Sequence, residues 1–465
     1  MAQSAFAPPG AAAPPAVSSA ALGAADTGDT AWMLISTALV MLMVPGLALF
    51  YGGMVRRKNV LGTMMHSMAA LGIVGLEWVI LGYAMAFGQL HGGANKIIGW
   101  DSQLLFLRGV TPGMIHTGTH IPELVFIMFQ GMFAIITPAL IAGAFAERVK
   151  FSGYVLFTLL WSILIYNPLA HWVWGGGWLG AGAGNIGALD FAGGTVVHIS
   201  AGFSALVTAL YLGKRIGYPS HVLQPNSLVL TLLGAGLLWF GWFGFNGGSA
   251  GGSNGLAAVA FTATQVAAAA GAIGWLVAEW IKHGRPTSLG VASGLVAGLV
   301  AITPASGFVS PGAAIIIGLL AGVICYIAVL AKAKLGYDDS LDAFGVHGIG
   351  GFLGALLTGI FCSTVFNPDG ANASFHQFGS QILAASSAAA YAAIGTLLLV
   401  VLTDKLVGFR VSRTTEIEGL DAAIHGEQGW MLEQVPVPAV ELPGTAAVDN
   451  EAAATARRRD PAKTH

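Results

Sequence analysis

Apolar residues are gathered into eleven long blocks, at approximately 31–53, 60–87, 122–146, 151–171, 191–213, 227–248, 256–281, 288–305, 312–331, 342–363 and 379–403. A helix needs about 20 apolar residues to span the ~30 Å hydrocarbon layer of a bilayer, so the pattern predicts eleven crossings. A chain in lipid must also satisfy its own backbone hydrogen bonds, which fixes the fold class as all-α and polytopic.

The polar segments between the blocks test this count. Placing the N-terminus outside puts Arg56, Arg57, Lys58, Arg148, Lys150, Lys214, Arg215, Lys282, Arg285, Lys332, Lys334 and every basic residue after 404 on the cytoplasmic side. Of the 20 Lys and Arg, only Lys96 and Arg108 then lie outside. Basic residues collect on the cytoplasmic side of membrane proteins, so the N-terminus is expected outside and the C-terminus inside. Residues 1–30 are rich in Ala, Pro, Ser and Gly and carry no Lys or Arg. They read as a disordered extracytoplasmic tail and not as a secretory signal, which has a positive start. Residues 31–404 form the transmembrane domain and 405–465 a cytosolic tail, expected to be disordered after about Val435. Gly88–Ile121 is a long polar outer loop, and Trp172–Leu189 an outer loop rich in Gly and Trp.

Composition agrees. Charged residues are 9% of the 465 and hydrophobic ones 55%, against about 25% charged in a soluble protein, and mean hydropathy is +0.73. The 66 glycines are about twice the usual share and suggest closely approaching helices. Cys325 and Cys362 both fall in apolar blocks, which excludes a disulfide framework or a cysteine metal site.

The least expected residues are two histidines within apolar blocks, His198 in the fifth and His347 in the tenth. An ionisable side chain at that depth is costly and usually marks a pathway; the alternative is a core histidine satisfied by a neighbour. Adjacent imidazoles can hydrogen-bond to each other without either being charged. No further Cys, His or carboxylate stands at ligand spacing, so no metal and no other cofactor is expected, nor any nucleic-acid partner. Histidines in the fifth and tenth of eleven blocks suggest two five-helix repeats and a final helix. Because five is odd, the repeats would run in opposite senses, the inverted-repeat plan of many transporters.

Other residues have two readings each. Asp190 can cap the fifth helix or favour a cation just outside it, and Asp342 is expected to cap the tenth. The aromatics of FQGMF (residues 129–133), of LLWFGWFGF (237–245) and Trp174 can be packing or interface residues. They can equally present a cation-π face to a small ammonium-like ion, with Ser249 adding a hydroxyl acceptor. Glu147 beside Arg148, and Glu279 near Lys282, read as ion pairs or interface charges. Glu77 is an intramembrane carboxylate with no evident partner.

Taken together, DTAWMLISTALVMLMVPGLALFYGGMVRRKNV (29–60), DFAGGTVVHISAG (190–202), WFGFNGGSA (242–250) and DAFGVHGIGG (342–351) resemble the ammonium transporters of the Amt/Mep/Rhesus superfamily, on the bacterial Amt side, over about residues 27–430. The resemblance implies an eleven-helix homotrimer in the cytoplasmic (inner) membrane with one pore per subunit, carrying ammonium or methylammonium and without enzymatic activity. Trp174, Ser249 and Phe133 then correspond to the outer recruitment site, and Asp190 to the carboxylate behind it. Phe133 with Phe245 corresponds to the aromatic gate, and His198 with His347 to the twin histidines of the pore. GLDAAIHGE (419–427) resembles the tail motif through which PII-type regulators act, which implies a PII partner. The rival readings are an ammonium sensor with little flux, a Rhesus-like gas channel and a membrane enzyme. Trp174 argues against the gas channel, and the lack of a nucleophile near the histidines argues against the enzyme.

Overall fold

The computed structural model describes residues 25–430 except 183, 221 and 222. Most of the expected N-terminal tail, and all of the chain beyond Val435, lie outside the described residues. Among those described there is no β-strand, only two isolated bridges. The helices are α1 (Thr27–Met54), α2 (Arg57–Ala86), α3 (Glu123–Phe145), α4 (Phe151–Val173), α5 (Gly194–Leu212), α6 (Leu228–Gly248), α7 (Gly255–His283), α8 (Ser288–Ile302), α9 (Pro311–Leu335), α10 (Phe344–Phe361) and α11 (Phe375–Val407).

Ten of these are long and apolar enough to cross a membrane. The exception is α8, with 15 residues, which at 1.5 Å per residue spans roughly 22 Å. Its apolar block runs to 305, but the chain leaves the helix after Ile302, just before Pro304, whose ring cannot continue the backbone ladder. The turn that follows, through Val309, is buried and still contributes to the core.

Helix starts are marked by side-chain caps that satisfy otherwise unpaired N–H groups. Asp26 accepts from Asp29, Asn254 from Ala257, Ser310 from Ala313 and Ser374 from Gln377. The Asp26 cap begins α1 at Thr27, a few residues ahead of its apolar block, because a cap is set by the polar residue before a helix. α7 and α9 end on Gly284 and Gly336 at φ 74° and 78°, a left-handed backbone that only glycine adopts freely.

Helices of the two halves of the chain pack on one another. α1 lies along α6, and α5 against α10, so equivalent helices of residues 27–212 and 228–361 meet each other. α2 and α3 pack on α1 as α7 and α8 pack on α6, and α11 closes the side of α5. Large apolar side chains such as Leu76, Val229, Leu233, Ile281 and Leu398 are exposed on the outside, as suits a surface solvated by lipid.

One end of the bundle is tied by buried charges. Arg215 pairs bidentately with Asp338 at 2.8 and 2.9 Å and reaches Glu147 at 3.0 Å. Glu147 also accepts from the backbone and side chain of Arg56 at 2.7 and 3.0 Å. Its neighbour Arg148 turns instead to the Asp338 carbonyl at 2.6 Å, so the expected pairing of adjacent residues does not form. Adjacent side chains at this helix end diverge, whereas Arg56 and Arg215 converge from other loops. Glu279 likewise accepts from Thr287, at 2.9 Å from its amide and 3.0 Å from its hydroxyl. The chain after α11 joins the same end. Glu416 receives Ile216 N–H at 2.6 Å and Arg410 at 2.9 Å, and Asp421 receives the Leu61 and Gly62 amides at 3.1 and 2.8 Å.

Candidate functional site

At the other end a cavity of about 810 Å³ opens between α2, α3, α4 and α6, with Trp174, Ser249, Phe129 and Phe133 on its wall. The indole N–H of Trp174 donates to the Asp190 carbonyl at 2.9 Å, which fixes the ring. The Ser249 hydroxyl donates to the Phe245 carbonyl at 2.9 Å. Its proton is thereby committed, and its oxygen lone pairs are left to accept.

Below the cavity the rings form a column. Trp174 meets Phe133 edge to face with centroids 6.0 Å apart, and Phe133 lies 4.1 Å from Phe245 at 32°. Both phenylalanines are 1% exposed, so the pair separates the cavity from the interior below it. Phe245 continues to His198 at 6.1 Å, and His198 to His347 at 5.3 Å with rings 18° from parallel. A second void, of about 10 Å³, lies here with Phe245, Trp242, His198 and His347 among its walls. That is about the volume one water-sized molecule occupies.

The two imidazoles meet Nδ1 to Nδ1 at 3.3 Å, so one donates and the other accepts. The buried Nε2 of His198 has no partner in the protein. Trp242 stacks on His198 at 5.4 Å and 23°, held by its own N–H on Thr303 at 2.9 Å.

Each histidine sits in the opening turn of its helix. The first turn of α5, Gly194–Ile199, and that of α10, Phe344–Gly348, are π turns, a widening frequent at functional sites. Asp190 receives four backbone amides, from Gly193 and Gly194 at 2.9 and 2.6 Å and from Thr195 and Val196 at 2.8 and 3.1 Å. Its carboxylate is thus wholly occupied by the helix start that presents His198. At the opposite end Asp339 receives Ala343 and Phe344 at 3.1 and 2.8 Å. The spacing from capping aspartate to histidine is the same in both: DFAGGTVVH and DSLDAFGVH. Asp342, expected to cap α10, instead pairs with Lys332; it sits at φ 62°, outside the extended backbone an N-cap uses.

The model of the Ammonium Transporter Family matches residues 31–430. The chain belongs to the ammonium transporter family. It is 48% identical over 408 residues to the ammonium transporter of Bacillus subtilis, covering 87% of this chain and 98% of that one. It is 47% identical over 409 residues to ammonium transporter Amt1 of Archaeoglobus fulgidus, at 87% and 99% coverage. Among solved structures it resembles Mep2 of Saccharomyces cerevisiae, with 36% identity and a TM-score of 0.77 over 84% of this chain and 88% of that one. A sensor Amt protein is similar at 29% identity and a TM-score of 0.77, over 85% and 97%.

In this family member the candidate site residues fall along one column, with Trp174, Ser249 and Phe133 at the cavity, Phe245 beneath, His198 and His347 below that, and Asp190 behind. Sequence reasoning left Phe129, which packs on Phe133 at 5.0 Å, and Trp242 among the unassigned aromatics, and it missed Thr303, which holds the Trp242 indole. Phe129 and Trp242 each stand about one helical turn before Phe133 and Phe245, a signal that was available. Glu77 does have partners, Ser162 and Asn167, both at 2.8 Å. They come from either end of a π turn in α4, Ser162–Tyr166, which no hydrophobic pattern announces.

Proposed function

We propose that the protein conducts ammonium nitrogen across a cytoplasmic membrane along the ring column. The observation that carries this reading is the order of groups on one line: aromatic and hydroxyl acceptor, closely packed phenylalanine pair, then two hydrogen-bonded imidazoles beside a small, mostly apolar void. An NH4+ ion would rest against the Trp174 face, with cation-π attraction of about 0.5–2 kcal/mol, and donate to Ser249. K+ cannot donate hydrogen bonds and gains less there; methylammonium offers a similar head and competes. Moving a full charge into hydrocarbon is far costlier than moving a neutral molecule, so the ion gives up its proton before or within the narrow path. NH3 then passes Phe133 and Phe245 to the void beside the unpartnered Nε2 of His198, which can exchange a hydrogen bond with it.

The same reading includes eleven crossings, with α8 and its buried turn as the eighth, the N-terminus outside and the cavity facing outward. It also includes a homotrimer in the inner membrane, and a PII-type protein acting on the segment after α11 that Glu416 and Asp421 anchor. The likeness to a sensor Amt protein favours a second reading, ammonium binding with little flux.

Ammonium-evoked current from purified protein in liposomes on a solid support separates these. Wild-type current that is lost, or loses its preference over K+, in His198→Ala with His347→Ala supports charge-coupled transport through the histidines. An ammonium-driven internal pH change without current means neutral NH3 crosses alone. Binding with neither signal overturns transport in favour of the sensor.

A further inference from the structure

The wall of the 810 Å³ cavity carries one carboxylate and, among the described residues, no Lys or Arg. That carboxylate is Glu123, the first residue of α3. It is held by two donors from separate parts of the chain. His116, in the loop before α3, approaches one oxygen through Nδ1 at 2.9 Å, and the Tyr83 hydroxyl of α2 donates to the other. His116 is itself fixed by stacking on Phe126, with centroids 3.4 Å apart. Asp29 and His120 pair with each other at 3.9 Å and do not line the cavity.

Glu123 is ten residues ahead of Phe133 on the same helix, hence about 15 Å above the gate. A single negative charge on the wall of a cleft with low-dielectric surroundings focuses its field into that cleft and raises the local concentration of small cations. With His116 as the neutral tautomer carrying its proton on Nδ1, the donors from His116 and Tyr83 hold the carboxylate in place without cancelling its formal charge. Neither Trp174 nor Ser249 carries a charge, and the carboxylate of Asp190 is saturated by four backbone amides. The step that concentrates the cation and the step that recognises it are therefore assigned to different residues.

We infer that Glu123 is a cation-gathering residue of the mouth, drawing ammonium-class monovalent cations into the cavity ahead of the Trp174–Ser249 site, with His116 and Tyr83 as its positioning residues. This rests on the transport reading above. It makes a distinctive claim about salt. The Debye length is about 30 Å at 0.01 M ionic strength and about 3 Å at 1 M, so a charge ~15 Å from the gate acts in the first condition and not in the second.

The test is the ammonium concentration giving half-maximal current, measured in liposomes at 10 mM and at 500 mM sodium chloride for wild type, Glu123→Gln, Glu123→Asp and Tyr83→Phe. At low salt Glu123→Gln should raise it by about tenfold, the lower end of the range for electrostatic focusing, and at high salt it should coincide with wild type. Glu123→Asp and Tyr83→Phe keep the charge and should keep the salt dependence. A Glu123→Gln protein with wild-type half-saturation at low salt overturns the inference. So does an equal shift in Glu123→Gln and Glu123→Asp that persists at 500 mM, which would mark a structural role. A wild type giving no ammonium signal at all would overturn the transport reading, and this one with it.

Discussion

A Cβ placed on Gly351 would stand 2.9 Å from the Cβ of His198, so α5 and α10 cross where one of them has no side chain. Gly202 makes the reciprocal approach to the backbone of Gly348. The Nδ1 to Nδ1 hydrogen bond depends on this closeness. Gly351→Ala or Gly202→Ala should lower the melting temperature in detergent, with overpacking of about 1–3 kcal/mol, and reduce ammonium current at least tenfold. Gly236→Ala, whose added methyl meets nothing within 4 Å, should leave both unchanged; a loss there equal to that at Gly351 would refute the crossing argument.

Asp190 offers a sharper comparison. Its two oxygens receive two amides each, so Asn, which replaces one oxygen by a donor, would set its NH2 against two N–H groups. Asp190→Asn should therefore be nearly as damaging as Asp190→Ala, each losing about 2 kcal/mol or more from unpaired buried donors. Thermal melts check the order; an Asn protein as stable as wild type would show that the carboxylate's acceptors are not what holds α5.

Trp174→Leu removes the ring face and the bond to the Asp190 carbonyl while leaving Phe133 and Phe245 in place. Ammonium flux should persist, with its preference over K+ reduced by about three- to thirtyfold, the equivalent of one cation-π contact. Unchanged selectivity in competition assays would remove Trp174 from the recognition step.

The buried charges at the other end predict a pH response. Burial alone would raise the Glu147 carboxyl, but the charge of Arg215 and the hydrogen bonds and charge of Arg56 overcome it and hold the group below the ordinary range. Asp338 is lowered in the same way, against its burial, by Arg215 and then Arg148. Groups with depressed folded values stabilise the protein above their unfolded values, near 4, and lose that contribution as pH falls through the folded ones. Asp339 has the opposite sign. Burial, with the charge of Asp342 adding and Lys332 opposing, pushes it up to about 6, so its contribution is full below ~4 and lost as pH rises through 6. Melting temperature should therefore fall on acidification below about pH 4, and Glu147→Gln should flatten that fall while lowering stability at pH 7. Parallel wild-type and variant curves would mean that Glu147 is not among the groups responsible.

Membrane residence and helical class were legible from one dimension, because lipid imposes one rule on every segment at once: a stretch that is long, apolar and free of charge must close its hydrogen bonds on itself. The same rule makes His198 and His347 conspicuous, since an imidazole in such a stretch needs a polar reason to be there. What the sequence could not decide is which groups meet. Glu147 passes over its neighbour Arg148 for Arg56 and Arg215, Asp339 and not Asp342 starts the helix of His347, and Glu77 finds its partners on α4. A buried polar group takes whichever partner the packing of distant segments brings within hydrogen-bond reach, and separation along the chain carries no record of that. The pairing of the two imidazoles was likewise decided by glycines that let α5 and α10 touch, a property of the crossing and not of either helix alone.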